Sequence, residues 1–441
     1  MSPSSLSARG ARAAATPLRI DHAAFREAMA DRFHPSRNPS GALPLNIAEN
    51  RLSWPLLRSR LEEAMAAGGV PDWVPTYASH RGAAPFRVAA ASFLSEHLTR
   101  CPVDPDSLGV SAGATSVIEM TAHLLADAGD VAVIPAPCYP VYRQDIGNMA
   151  GVERYDLVTH HELSEIARGP ALRIEHLERA KRDIEASGRR FRMLVLTTPD
   201  NPTGGVYPTQ LLQDIADWCV ARGTHLLVNE LYGLSLIDTS HPAIRQDYHE
   251  DVPFVSVARL MADRQSDYLH LCYAVSKDLG ISGFRVGMLH SHNRALLQAY
   301  ENLNLTHSAS NLTQWVLLGV LTDSAFMGAY VKENQMRLTE SYALVVEALR
   351  ALGVPYVPSR GSLFAWIDLS ELLDEDSEAG ELALWMDLYR SARVLLTPGV
   401  GFGHTKRGCF RVVYPSVTRD ELAVATTRLS AWVEERRKPT A

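Results

Sequence analysis

Short apolar runs closed by glycine- or proline-rich turns punctuate the middle of the chain. They are Leu-Gly-Val at 108–110, Val-Ala-Val-Ile at 131–134, Met-Leu-Val-Leu-Thr at 193–197 and the aromatic-rich run over 268–275. Runs of this length bounded by turn residues predict buried strands. Helical periodicity predicts helices over 115–127 and 208–222, and the polar stretch 156–192 reads as a helical outer crossover. Upstream, amphipathic patterns predict helices over 21–32, 52–65 and 85–97, with Asn50 in an N-cap region for the second. Downstream, long helical patterns cover 313–321 and 330–352, and GSLFAWIDL and GCFRVVYP read as a strand pair. Helices on a small sheet make a small α+β lobe. The acidic patch 371–378 reads as a solvated loop.

Composition narrows the class. The chain has 441 residues, 46% hydrophobic and 21% charged, enough for a large core in two domains or in a large and a small lobe. A formal net charge of −7 excludes neither phosphate nor carboxylate ligands but argues against nucleic-acid or anionic-membrane partners, so any phosphate must be gripped locally. No run of eighteen apolar residues occurs, which predicts no membrane span. Five cysteines without CxxC spacing point to a reduced, cytoplasmic protein with no zinc site and no disulfide framework. Residues 1–17, rich in Ser, Ala and Arg but lacking an apolar segment, read as a disordered tail, with a transit peptide as the alternative.

Candidate chemistry centres on Lys277, just after the 268–275 run, with Arg285 eight residues on and Gly280, Gly283 and Gly287 allowing tight backbone turns. A lone loop lysine is by default a solvated side chain. The stretch SKDLGISGFRVG, however, resembles the lysine segment of pyridoxal-phosphate (PLP) enzymes of the aminotransferase class I/II family. The resemblance implies that Lys277 is the Schiff-base lysine and Arg285 a ligand of the cofactor phosphate. A Schiff base requires a free amine near neutral pH, so the lysine pKa must be depressed.

Other motifs follow in family order. Small residues opening a helix expose N–H groups to an anion, and Gly113, Ala114 and Thr115 match the family's phosphate cup. Tyr139, before a proline, matches the aromatic that stacks on the pyridine ring. The turn PDNPTG places Asn201, and NELY places Tyr232, at the two residues that hydrogen-bond the cofactor O3′ in the family. Tyr77 in VPTYASHRG matches a tyrosine that reaches the neighbouring subunit's cofactor phosphate, which implies a homodimer with shared active sites. Arg411 in FRVVYP matches the clamp for the substrate α-carboxylate, a task suited to a bidentate fork.

Two departures from the family pattern stand out. Asn229 replaces the aspartate that pairs with the pyridinium nitrogen; an amide cannot hold a proton there by charge, so the ring is expected to draw electrons less strongly. Ala274 replaces a phosphate-binding serine, and Ser276 is the neighbouring hydroxyl that would have to serve instead.

The N-terminal wording FHPSRNPSG followed by IAENRL is similar to that of 1-aminocyclopropane-1-carboxylate (ACC) synthases. It implies that Glu49 lies in the active site near the sulfonium of S-adenosylmethionine (SAM), with Asn50 beside it at the substrate. Capping is the competing role for both residues. The ACC synthase pattern also has an arginine five residues after the stacking aromatic, where this chain has Gln144, with Arg143 one place early.

The resemblance spans about residues 33–415 and implies the fold type I PLP fold, an α/β architecture. A large α/β/α domain with a mostly parallel mixed sheet (70–310) would be joined by a small α+β domain (311–441), with 18–69 contributing to the small lobe and the dimer. Three activities compete: a SAM-directed lyase or synthase, an aminotransferase making an oxo acid, and a noncatalytic PLP-binding regulator.

Overall fold

The computed structural model describes residues 5–77 and 79–438, and its thirteen strands form three sheets. β1 (Leu43–Pro44) pairs in parallel with β11 (Val394–Leu395), which ties the N-terminal segment to the C-terminal lobe. The central sheet contains β2 (Leu108–Ser111), β3 (Val131–Ala136), β4 (Glu153–Val158), β5 (Phe191–Thr197), β6 (His225–Asn229), β7 (Leu269–Ala274) and β8 (Gly287–Ser291). Their order across the sheet is β2-β8-β7-β6-β5-β3-β4. β8 is antiparallel to both β2 and β7, and every other neighbouring pair is parallel.

The runs at β3, β5, β6 and β7 are almost continuously apolar because helices cover both faces, leaving nearly every residue buried. β4 corrects the expectation of a purely helical crossover over 156–192. It is an edge strand with only Leu157 fully buried, so its residues remain polar and carry no strand-like apolar run. The crossover helix itself is Ile174–Ala186.

A second sheet of β9 (Tyr356–Val357), β10 (Phe364–Asp368), β12 (Thr397–Pro398) and β13 (Cys409–Val413) is antiparallel, in the order β12-β13-β10-β9. The expected strand pair is thus β10 and β13, with Trp366 opposite Arg411. The expected helix over 330–352 begins earlier, spanning Ser324–Leu352, with the Asp323 carboxylate accepting from the Phe326 N–H at 3.0 Å and Gly353 closing it at φ +66°. Its first turns bury Met327 and Tyr330 in the core beneath the central sheet. Later turns bury Leu338, Tyr342 and Val346 in the core of the small lobe, so one rigid element spans both.

In the expected tail, Ala8–Ala15 forms a helix capped by Ser7, with none of its residues buried; residues 1–4 lie outside the described residues. Among the described residues no helix is long and apolar enough to cross a membrane.

Candidate active site

Topology brings the sequence-predicted residues together. β2, β3, β5, β6 and β7 all run the same way and end at one edge of the sheet, and antiparallel β8 begins there. Gly113, Tyr139, Asn201 and Lys277 follow those strand ends, Asn229 is the last residue of β6, and Arg285 precedes β8. The carboxyl ends of sheet strands are where open α/β sheets bind ligands.

Lys277 lies in the short helix Val275–Asp278 immediately after β7. Its Nζ donates to the Ala48 carbonyl at 2.5 Å. Burial lowers its pKa to about 8; the Glu49 carboxylate opposes that shift, while Arg411, Arg285 and Arg19 reinforce it. The amine is therefore available unprotonated near neutrality, as covalent attack on an aldehyde requires.

At the anion end, Gly113 precedes the twelve-residue helix Ala114–Leu125 with φ +92° and ψ 173°, and no side chain caps that helix. A Cβ on Gly113 would stand 2.6 Å from Arg285 Nη2. Arg285 itself adopts a left-handed backbone at φ +54°. Among the described residues it donates only to the carbonyls of Ser282 (2.9 Å) and Ala112 (3.1 Å). Uncapped N–H groups, an exposed guanidinium without a carboxylate and a glycine-lined approach between them make a cradle for a phosphate. Ser276 is buried beside Lys277, and its carbonyl accepts from the Ser282 hydroxyl at 3.0 Å.

Along the floor, Tyr139 is half-buried, edge-on to Tyr142 with ring centroids 5.5 Å apart, and burial raises its phenol to about 12. Tyr232 is buried edge-on to Phe364 and stays protonated because burial pushes its pKa up. Asn229 donates from Nδ2 to the Tyr142 hydroxyl at 2.9 Å.

Arg411 is 1% exposed and forms no ion pair among the described residues. Its Nη1 donates to Asn201 Oδ1 at 2.8 Å and its Nη2 to the Asn46 carbonyl at 3.1 Å, while Nε has no partner. It lies over the Phe364 ring at 4.5 Å. Burial lowers its pKa to about 10, yet it remains a cation. A buried guanidinium with an orphan N–H is poised for a carboxylate supplied from outside.

The N-terminal segment closes the site. Glu49 pairs with Arg51 at 3.0 Å, both about two-fifths exposed. Asn50 is engaged elsewhere: Nδ2 donates to Asn334 Oδ1 at 2.8 Å and Oδ1 accepts from the Leu52 N–H at 3.1 Å. These are the contacts of a turn cap and a lock onto the long helix. Tyr77 is 92% exposed.

Sequence reasoning missed several residues here. Asn46 accepts from Arg411 through its carbonyl and donates from Nδ2 to the buried Asp21 at 2.6 Å. Tyr142 holds Asn229. Asp278 accepts from the Ser235 hydroxyl at 2.6 Å and the Leu234 N–H at 3.0 Å, anchoring the lysine helix to the loop after β6. None has a local signature; only the IAEN and SKD strings around them hinted at Asn46 and Asp278.

A phosphate cradle, a buried lysine with a lowered pKa and aromatic walls on one sheet edge fit PLP, with the unpaired Arg411 left for the substrate. Comparison with known proteins agrees. The profile of the family described as "Aminotransferase class I and II" matches residues 63–429. The 1-aminocyclopropane-1-carboxylate synthase 1 of Oryza sativa subsp. indica is 33% identical over 418 residues, covering 91% of this chain and 83% of that protein. The 1-aminocyclopropane-1-carboxylate synthase 7 of Arabidopsis thaliana is 29% identical over 419 residues, covering 92% and 90%. The solved structure of aspartate aminotransferase from Thermus thermophilus with maleate superposes with a TM-score of 0.78 at 22% identity, covering 97% of this chain and all of that one. The last of these shows the shared fold. With the family profile spanning most of the chain and a 33% identical relative matching nearly all of it, this protein belongs to the class I and II aminotransferase family and is a PLP-dependent enzyme of the fold type I architecture.

Proposed function

We propose that the enzyme acts on S-adenosylmethionine or a closely related γ-substituted amino acid, removing the Cα proton and expelling the γ-substituent as a lyase or synthase. The observation that carries this reading is the placement of Glu49. The Ala48 carbonyl is hydrogen-bonded to the Lys277 amine, so the carboxylate of the next residue stands beside the reacting centre, where it acts electrostatically on that amine. Its other cation is the half-exposed Arg51, and such exposed pairs contribute about 0–1 kcal/mol. A sulfonium can therefore take that carboxylate at little cost. The relatives named as ACC synthases support the same reading.

In this reading Lys277 holds the cofactor aldehyde, and Gly113, Ala114, Thr115 and Arg285 hold its phosphate, with Ser276 nearby. Tyr139 lies against the ring, Asn201 and Tyr232 serve its hydroxyl, and Asn229 its nitrogen. PLP, when bound, withdraws electron density from the substrate Cα. Arg411 binds the α-carboxylate and fixes the Cα–H bond toward Lys277. Lys277 Nζ, as the free amine, would take that proton as general base. Glu49 stabilises the positive charge on the leaving sulfur as it binds; the electron pair left at Cα then bonds to Cγ as the γ C–S bond breaks, its own pair departing on the neutral thioether.

The active unit in this reading is a homodimer. Tyr77, Leu305 and Leu312 are exposed apolar side chains set among polar residues in one open cleft of ≈ 440 Å³, a mixed surface of the kind that a second copy covers. Tyr77 would then complete the phosphate cradle of the other subunit.

The test is Glu49→Gln assayed with SAM. Turnover should fall at least about tenfold, the loss of roughly one charge interaction of 1.4 kcal/mol or more, while the cofactor absorbance stays as in the wild type. Equal turnover would remove Glu49 from the chemistry, and a wild type that leaves SAM intact but converts amino acids to oxo acids would establish the aminotransferase activity instead.

A further inference from the structure

The replacement of aspartate by asparagine at position 229 turns the orientation of one amide into a chemical question. An amide presents an acceptor, Oδ1, and a donor, Nδ2, and only its hydrogen-bond network tells which faces where. Here one backbone contact sets the orientation, because the Tyr142 hydroxyl can itself donate or accept. The Leu231 backbone N–H donates to Oδ1 at 3.4 Å, and because a backbone N–H is a fixed donor, turning the amide over would set two donors against each other. Nδ2 then donates to the Tyr142 hydroxyl at 2.9 Å, and that hydroxyl shares a second hydrogen bond with Thr197 Oγ1 at 2.7 Å.

All three residues are buried: Asn229 is 4% exposed, Tyr142 1% and Thr197 6%. Tyr142 stays a neutral phenol because burial drives its pKa up. One Nδ2 proton is thus engaged, and the second has no acceptor among the described residues. Asn229 ends β6 at the same sheet edge as Lys277, so the second N–H remains free for a group bound at that edge.

We propose that Tyr142, supported by Thr197, is a positioning residue that holds the Asn229 amide donor-side out, so that the ring nitrogen of bound PLP is kept as an unprotonated hydrogen-bond acceptor. An aspartate at 229 would offer no N–H and would stabilise a protonated ring. The neutral ring withdraws less charge from the substrate Cα, so electron pairs formed there are better placed to expel a γ-substituent than to persist on the cofactor. This inference needs only bound PLP and holds for any amino-acid substrate.

Two other acids lie near. Asp145, with Oδ2 unpartnered and its carboxyl raised to about 7 by burial, and Glu230, raised to about 8 by burial, both act electrostatically on Cys272. Cys272 is the residue opposite Asn229 in β7. Asp145 is the rival proton source for the ring, and its own variant separates the two possibilities.

The experiment uses the holoenzyme reconstituted with PLP carrying ¹⁵N at the ring nitrogen, read by solid-state NMR without substrate. The wild type should give the shift of a neutral, hydrogen-bonded pyridine, and Asn229→Asp should move it to the pyridinium position. Tyr142→Phe should move or split the wild-type signal toward a pyridine lacking its hydrogen bond, and Asp145→Asn should leave it unchanged. Should Tyr142→Phe fail to hold PLP, Thr197→Val should displace the signal in the same direction by less. A pyridinium shift in the wild type, a signal that neither Tyr142→Phe nor Thr197→Val moves, or a response to Asp145→Asn would each overturn the proposal.

Discussion

Lys277 carries its chemistry as a matter of environment. Burial favours the neutral amine and the surrounding guanidiniums add to that, bringing its pKa from 10.5 to about 8. Two consequences follow with definite sign. The rate at which apoenzyme captures PLP should rise with pH through about 8, as stopped-flow absorbance would show, and Lys277→Ala should lose the borohydride-reducible adduct altogether. Because the folded pKa lies below the unfolded one, the folded chain binds fewer protons between about 8 and 10.5, so this residue makes the apoenzyme gain stability as pH climbs through that window. At Arg411, Arg411→Lys keeps the charge but loses the planar fork. A charge-assisted hydrogen bond contributes about 1.5–3 kcal/mol, so KM for the amino acid should rise about ten- to hundredfold. Substrate amides lacking the carboxylate should be nearly indifferent to the change.

At the scale of elements, the site is a set of strand ends, and its most demanding point is the turn from β2 into the helix Ala114–Leu125. Gly113 has a backbone conformation essentially reserved for glycine, and the missing side chain leaves the room that Arg285 occupies. Gly113→Ala should therefore cost about 1–3 kcal/mol of stability and also weaken PLP binding, because the guanidinium must move. Thermal unfolding of the apoenzyme and a PLP titration would separate the two effects. The long helix Ser324–Leu352 has a comparable role. Asn334 on it receives the Asn50 amide and the Ser53 hydroxyl (3.0 Å), joining the segment over Lys277 to the element that spans both lobes.

For the whole molecule, the proposed sharing of Tyr77 between subunits makes a complementation experiment decisive. Mixed Tyr77→Phe and Lys277→Ala proteins, once subunit exchange is shown, should form hybrid dimers with one intact site, and the mixture should exceed the activity of either parent. Activity no higher than the parents would remove Tyr77 from the neighbouring site.

Sequence by itself determined the buried strands β3, β5 and β7, because a strand covered on both faces must be apolar along its whole length. It also singled out Lys277, Arg285 and Gly113 as candidates, because the residue types suited to covalent capture of an aldehyde, to a phosphate and to a left-handed turn are few. Tertiary structure alone decided the rest. β4 escaped because an edge strand keeps polar residues, and the lock of Asn50 on Asn334 joins residues 284 apart in sequence. The bond between Arg411 and Asn201 spans 210 residues and that between Asn229 and Tyr142 spans 87. Which way an amide faces, or whether a guanidinium lacks a carboxylate, depends on partners from distant segments, and no local pattern of residues encodes that choice.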